Sequence, residues 1–138
     1  MTGRPDLVAG LLRRGGRVLL AHRSPHRSWY PDCWDVPGGH LEPGEDPVDG
    51  LVRELSEELG VAVDLPPGAP PWTTVSTVAT AGHRLAVWLV DRWEGEPASV
   101  DPAEHDTIAW FDAAGLDAVP AASFSDPGLP PLVRLALA

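Results

Sequence analysis

Lysine, asparagine and glutamine are all absent from this chain of 138 residues. Its 10 basic side chains are therefore all arginine, set against 20 acidic ones for a formal charge of −10. So little positive charge argues against the basic face by which a protein grips a nucleic-acid polymer. No side-chain carboxamide is available to read a nucleobase. This bias, with abundant Ala, Gly, Pro and Asp, is what a GC-rich coding genome produces and does not itself point to an activity. Cys33 is the single cysteine, which excludes an internal disulfide and suits a reducing compartment. Long apolar runs are missing too: Val18–Ala21 and Leu85–Val90 fall far short of the ~20 residues that cross a bilayer. Met1–Asp6 lacks the apolar centre of a secretory signal. A cytoplasmic protein without a membrane partner is expected, with residues 1–138 as one domain.

Leu7–Leu12 and Arg17–Arg23 are β-like runs joined by Arg13-Arg14-Gly15-Gly16, which predicts an antiparallel hairpin. Ser24–Cys33 is predicted as a loop, Trp34–Val36 as a short strand broken by Pro37-Gly38-Gly39, and His40–Glu45 as a second loop. Asp46-Pro47 is a helix start and Gly60 a helix stop. Between them Val48, Leu51, Val52, Leu55 and Leu59 recur at helical spacing as one buried stripe. Val61–Leu65 is predicted as a strand, Pro66–Pro71 as a loop, and Thr73–Thr80 with His83–Trp93 as a second antiparallel pair. Glu94–Glu104 is a polar loop, Thr107–Phe111 a last strand, Asp112–Leu116 a helical turn, and Leu132–Ala138 a short helix. Strands interspersed with helices predict an α/β fold with a mixed sheet between helices.

On the central helix Glu54, Glu57 and Glu58 stand at i, i+3 and i+4 and share a face off the apolar stripe. Like charges at this spacing cost an isolated helix a few tenths of a kcal/mol per pair, and two of them lie near the negative end of the macrodipole. Arg53 offsets this in part by reaching Glu57 at i+4. Clustered carboxylates are what a hard divalent cation requires; a solvated acidic face in an acidic chain satisfies the same spacing.

The flanking residues favour the first alternative. Gly39 is followed after five residues by Glu45, and after seven more by Arg53-Glu54-Leu55-Ser56-Glu57-Glu58-Leu59-Gly60-Val61. This resembles the Nudix box, G-x5-E-x7-R-E-U-x-E-E-x-G-U with U a bulky aliphatic, at every fixed position. Trp34–Gly39 resembles the usual entry to the box, and Trp88–Pro97 is similar to a strand segment of the MutT-like branch of that family. The resemblance implies the Nudix α/β/α sandwich, with the box as loop–helix–loop. It implies an enzyme that hydrolyses a phosphoanhydride in a nucleoside diphosphate linked to a further group, a nucleoside triphosphate before an ADP-ribose or nucleotide sugar; a non-catalytic nucleotide-sensing domain ranks last, because the box is intact.

The same resemblance implies Mg²⁺, which Mn²⁺ can replace, on Glu54, Glu57, Glu58 and the backbone oxygen of Gly38. Arg53 would orient the glutamates; Gly39, Glu45 and Gly60 would shape the box. Glu104, six residues before Trp110, falls where the MutT-like branch carries a further catalytic glutamate, and Glu54 and Glu104 are both candidates for the general base. Asp101, His105 and Asp106 stand close enough to substitute for Glu104. Arg23 is the candidate for a substrate phosphate, and Trp29 and Tyr30 for stacking on a base. Trp34 is expected to pack, His22, His26, His40 and His83 to be structural, and Cys33 to be inert. The oxidised-guanine enzymes of this branch read the base through an asparagine near the C-terminus. Ser123-Phe124-Ser125-Asp126 stands there instead, with Asp126 an acceptor only. The expected partner is a small nucleotide rather than a polymer, bound by a monomer or homodimer.

Overall fold

The computed structural model describes residues 4–28, 30–76 and 80–138. Strands β1 (Leu7–Arg14) and β2 (Arg17–Arg23) form the expected hairpin. Gly15 and Gly16, at φ 59° and 74°, supply the two positive-φ positions of its turn. The two strands stay paired only at Arg14↔Arg17 and Arg13↔Val18, and then part. From Leu7 to Leu12, β1 runs parallel to β7 (Leu85–Val90). From Val18 to Arg23, β2 instead pairs antiparallel with β9 (His105–Phe111).

Residues 34–40 wedge into the opening. Strand β3 (Trp34–Asp35) bonds to β2, and β4 (Gly38–His40) bonds to β1. Between them the Gly10 N–H donates to the Pro37 carbonyl at 3.0 Å. The sequence predicts a break at Pro37-Gly38-Gly39 and a loop from His40; the structure has a strand there. The reason is space: a Cβ on Gly38 would lie 2.0 Å from the Val8 carbonyl oxygen, so only glycine lets this segment close on β1.

The sheet is mixed as predicted, with β6 (Thr73–Val75) antiparallel to β7 at its edge and a separate ribbon of β5 (Ala62–Val63) and β8 (Trp93–Glu94). The β6 strand is shorter than the predicted Thr73–Thr80, of which residues 77–79 lie outside the described residues. Alternation along β1 and β2 sends side chains to both faces. Val8, Leu12 and Leu19 pack with α1 (Pro47–Leu59). Leu11, Val18 and Leu20 pack with α2 (Ala113–Ala118) and α3 (Leu129–Leu137). Helices thus cover the sheet on both sides, giving the α/β/α sandwich. Among the described residues no helix is long and apolar enough to cross a membrane.

Helix α1 has the predicted bounds. The Asp46 carboxylate accepts the N–H groups of Val48 and Asp49 at 3.0 and 3.3 Å. Gly60, at φ 70°, ends the helix by donating to the Ser56 carbonyl. Leu51, Leu55 and Leu59 are fully buried, each worth roughly 1.5–3 kcal/mol. Helix α3 begins at Leu129 rather than at the predicted Leu132. Pro130 and Pro131 occupy its first turn, where no intrahelical N–H is needed.

Gly38→Ala should lower stability by roughly 3 kcal/mol or more. Gly44→Ala, at φ 75° in open space, should cost only about 1 kcal/mol. Urea unfolding of the two variants reads the difference; equal losses would contradict close approach as the reason for Gly38.

Candidate active site

The wedge places the Pro37–His40 turn against the acidic face of α1. A Cβ on Gly39 would come within 2.6–2.8 Å of the Glu54 carboxyl group, so the absence of a side chain leaves room for that carboxylate. The Gly38 backbone favours the charged form of the Glu58 carboxyl, against its burial. Arg53 ties the whole arrangement together. Its Nε and Nη2 donate to the two oxygens of Glu45 at 2.8 and 2.9 Å, Nη1 donates to Glu54 at 3.0 Å, and Nη2 also reaches the His40 carbonyl at 3.2 Å. The bidentate pair holds the loop before the helix to the helix itself. It draws the Glu45 carboxyl down to about 2, helped by the Glu42 N–H.

The three helix glutamates are not equivalent. Glu57 points outward with 61% of its side chain exposed, and meets Arg53 at only 3.4 Å. Glu54 is half-buried, and burial raises its pKa against the opposing pull of Arg53. Glu58 is buried, and its Oε2 has no hydrogen-bond partner among the described residues. Burial, followed by the charges of Glu54 and Glu104, pushes the Glu58 carboxyl up to about 9.

Glu104 reaches this group from the loop before β9, which is anchored by a Ser24 N–H bond to the Glu104 carbonyl at 2.9 Å. Oxygens of Glu58 and Glu104 and a ring nitrogen of His105 lie within 4.8 Å of one another. His105 is buried, with Nδ1 3.6 Å from Glu58 Oε1. Burial and the charges of Arg27 and Arg23 lower its pKa to about 4, so it is neutral near pH 7.

These groups form one end of a cleft of about 710 Å³, which also takes in Arg23, Arg27, Tyr30 and Asp35 and extends to Ser125, Asp126, Leu129 and Leu132. Arg23 donates from Nε to the Tyr30 carbonyl at 2.8 Å and has Nη1 3.6 Å from Asp35. Asp126 accepts the Gly128 N–H at 2.7 Å. Trp29 lies outside the described residues. Trp34 packs edge-on against Phe111 at 5.0 Å. Cys33 is buried, donates to the Tyr30 carbonyl at 3.2 Å and has its thiol pKa raised by burial.

The structure therefore brings Glu54, Glu58, Glu104, Gly38, Gly39, Arg23 and Tyr30 to one cleft, and leaves Glu57 on its outer side. Sequence reasoning did not single out Arg27. It sits in an irregular loop, and only the meeting of that loop with the 101–105 segment reveals where it stands. His105 was visible only as a neighbour of Glu104. A buried carboxylate oxygen with no donor, among further carboxylates, fits a hard divalent cation. Glu54, Glu58 and Glu104 supply the oxygen donors such an ion takes.

The residues from Gly39 to Val61 that resemble the Nudix box form this loop and helix, and the NUDIX domain model matches residues 2–132. The chain belongs to the NUDIX domain family and is a MutT-like Nudix hydrolase. It is 32% identical over 105 residues to the CTP pyrophosphohydrolase of Escherichia coli K12, covering 76% of this chain and 73% of that one. It is 30% identical over 131 residues to the 8-oxo-dGTP diphosphatase of the same organism, covering 94% and 97%. The crystal structure of a MutT NUDIX hydrolase from Burkholderia pseudomallei superposes with a TM-score of 0.72 at 29% identity, covering 98% of this chain and 97% of that one.

Because the Glu45 carboxyl is held at about 2, below its ordinary 4.5, its pairing with Arg53 stabilises the fold fully above pH 4.5. That contribution is lost as pH falls through about 2. The stability difference between wild type and Glu45→Gln should be constant at neutral pH and should narrow across this acid window. Chemical unfolding at stepped pH checks it; a gap that persists undiminished to pH 2 would contradict the pairing.

Proposed function

We propose that this chain, acting as a single Nudix domain, hydrolyses a nucleoside triphosphate to the monophosphate and pyrophosphate with Mg²⁺, which Mn²⁺ can replace. The buried, unpartnered Oε2 of Glu58 carries this reading, since its position is stable only beside a cation or a proton. Both E. coli relatives are named for nucleoside triphosphates, which supports the substrate class.

Glu54, Glu58 and Glu104 would hold the metal, with Gly38 adding its backbone oxygen; Glu57, exposed on the outer side of the cleft, would add a ligand only with its side chain turned inward. Bound there, a divalent ion supplies charge neutralisation for the phosphates, a lowered pKa for an attacking water and stabilisation of the leaving group. Glu54 and Glu104, both lining the cleft, are the two candidates to take the water's proton. Arg53 acts through its neighbours: by holding Glu54 and Glu45 at once it fixes the helix against the loop. Arg23 contacts a phosphate, and Trp29 and Tyr30 take the base. The cleft is sized for a free nucleotide, and the shortage of basic surface argues against a polymer.

A panel of nucleoside triphosphates, ADP-ribose and nucleotide sugars with Mg²⁺, followed by product chromatography, tests the reading. Pyrophosphate from a triphosphate is expected, with activity abolished by chelator and kcat lowered about 10²-fold or more in Glu58→Gln. AMP with ribose phosphate as the main products would replace the triphosphate by ADP-ribose as the substrate. Binding without turnover, unchanged in Glu57→Gln, would sink the hydrolytic reading altogether.

A further inference from the structure

We propose that Arg27 binds the terminal phosphate at the far end of the substrate's polyphosphate chain, and that the cleft therefore selects polyphosphates with a free terminal group over diphosphates capped at both ends. The inference rests on the triphosphate reading above and names the feature that this chain recognises.

Arg13, Arg23 and Arg53 are partly buried, and each stands at ion-pair distance from a carboxylate: Asp91, Asp35 and Glu45. Arg27 differs. It is half-buried in the wall of the cleft, and among the described residues no carboxylate lies within ion-pair distance of it. Its one hydrogen bond among them, from Nη1 to the Glu104 carbonyl, is 3.5 Å long, at the limit of such a bond. A guanidinium withdrawn from water without an anion is costly. Arg23 lines the same cleft and feels the Arg27 charge, while Asp35 and Glu58 feel it favourably without pairing with it.

The surroundings say what anion relieves this. The Arg27 charge acts on Glu58 and His105, so it stands at the end of the cleft where the carboxylates gather. The cleft there has an acidic side built for cations and a cationic side built for an anion, and a polyphosphate chelated to metal fits between them. Val36, Leu129 and Leu132 in the same cleft offer apolar surface for a nucleoside. A planar fork of N–H donors suits a doubly charged phosphate that needs several hydrogen bonds at once. ADP-ribose and nucleotide sugars carry no such terminal group.

Equilibrium binding to the full chain in Mg²⁺, by calorimetry, tests this with inorganic tripolyphosphate, ADP-ribose and AMP as probes. Wild type should bind tripolyphosphate, and Arg27→Ala should bind it about tenfold or more weakly. Arg27→Lys should lose less, since it keeps the charge without the fork. Affinities for ADP-ribose and AMP should change less than about twofold in either variant. Should Arg27→Ala fail to fold, Arg27→Lys carries the comparison, expected as a selective loss for tripolyphosphate. Unchanged tripolyphosphate binding, equal losses on all three probes, or no binding by wild type would each overturn the proposal. If no nucleotide is turned over while tripolyphosphate binding still depends on Arg27, the hydrolytic reading alone has failed.

Discussion

Carboxylates crowded on one side of a helix repel one another, and burial strengthens the repulsion by removing the water that would screen it. Glu58 carries most of this load. It lies near Gly38, Glu54 and Glu104, with one oxygen that finds no donor among the described residues. Much of the surrounding architecture makes such a position tenable. Arg53 takes up part of the negative charge and is itself saturated by Glu45, so little of its charge is left to offset that of Glu58. The arrangement is one that folding alone would not favour, as expected where geometry serves chemistry.

The scaffold reaches this arrangement through the splayed hairpin. Because β1 and β2 separate after two paired positions, residues 34–40 insert and bring two glycines to the acidic face of α1. Both glycines are dictated by contact: Gly38 by the backbone of Val8 and Gly39 by the carboxyl group of Glu54. The second wall of the cleft comes from the loop after β2 and the loop before β9, joined by the Ser24–Glu104 backbone bond. One wedge and one loop-to-loop tie thus set the cleft between an acidic side and a cationic one.

Much of this was legible in the chain because it is local. The stripe from Val48 to Leu59, the Asp46 cap and the Gly60 stop define α1 without reference to anything distant, and the spacing from Gly39 to Val61 carries the family resemblance. What was not legible depends on partners far away in sequence. Strand β4 looked like a break, because glycines lack strand propensity; the slot beside β1 makes it a strand. The start of α3 was hidden by Pro130 and Pro131, which read as breakers until they are seen in a first turn. Arg27 carried no local signal, and the outward turn of Glu57 could not be told from its spacing.

The buried oxygen of Glu58 is proposed above to take a divalent cation. Anomalous diffraction from crystals of the full chain grown with Mn²⁺ addresses it directly. The account predicts an anomalous peak in bonding contact with the carboxylate oxygens of Glu58 and Glu54, lost in Glu58→Gln. A peak elsewhere on the acidic surface, or full retention of the same peak in Glu58→Gln, would contradict it.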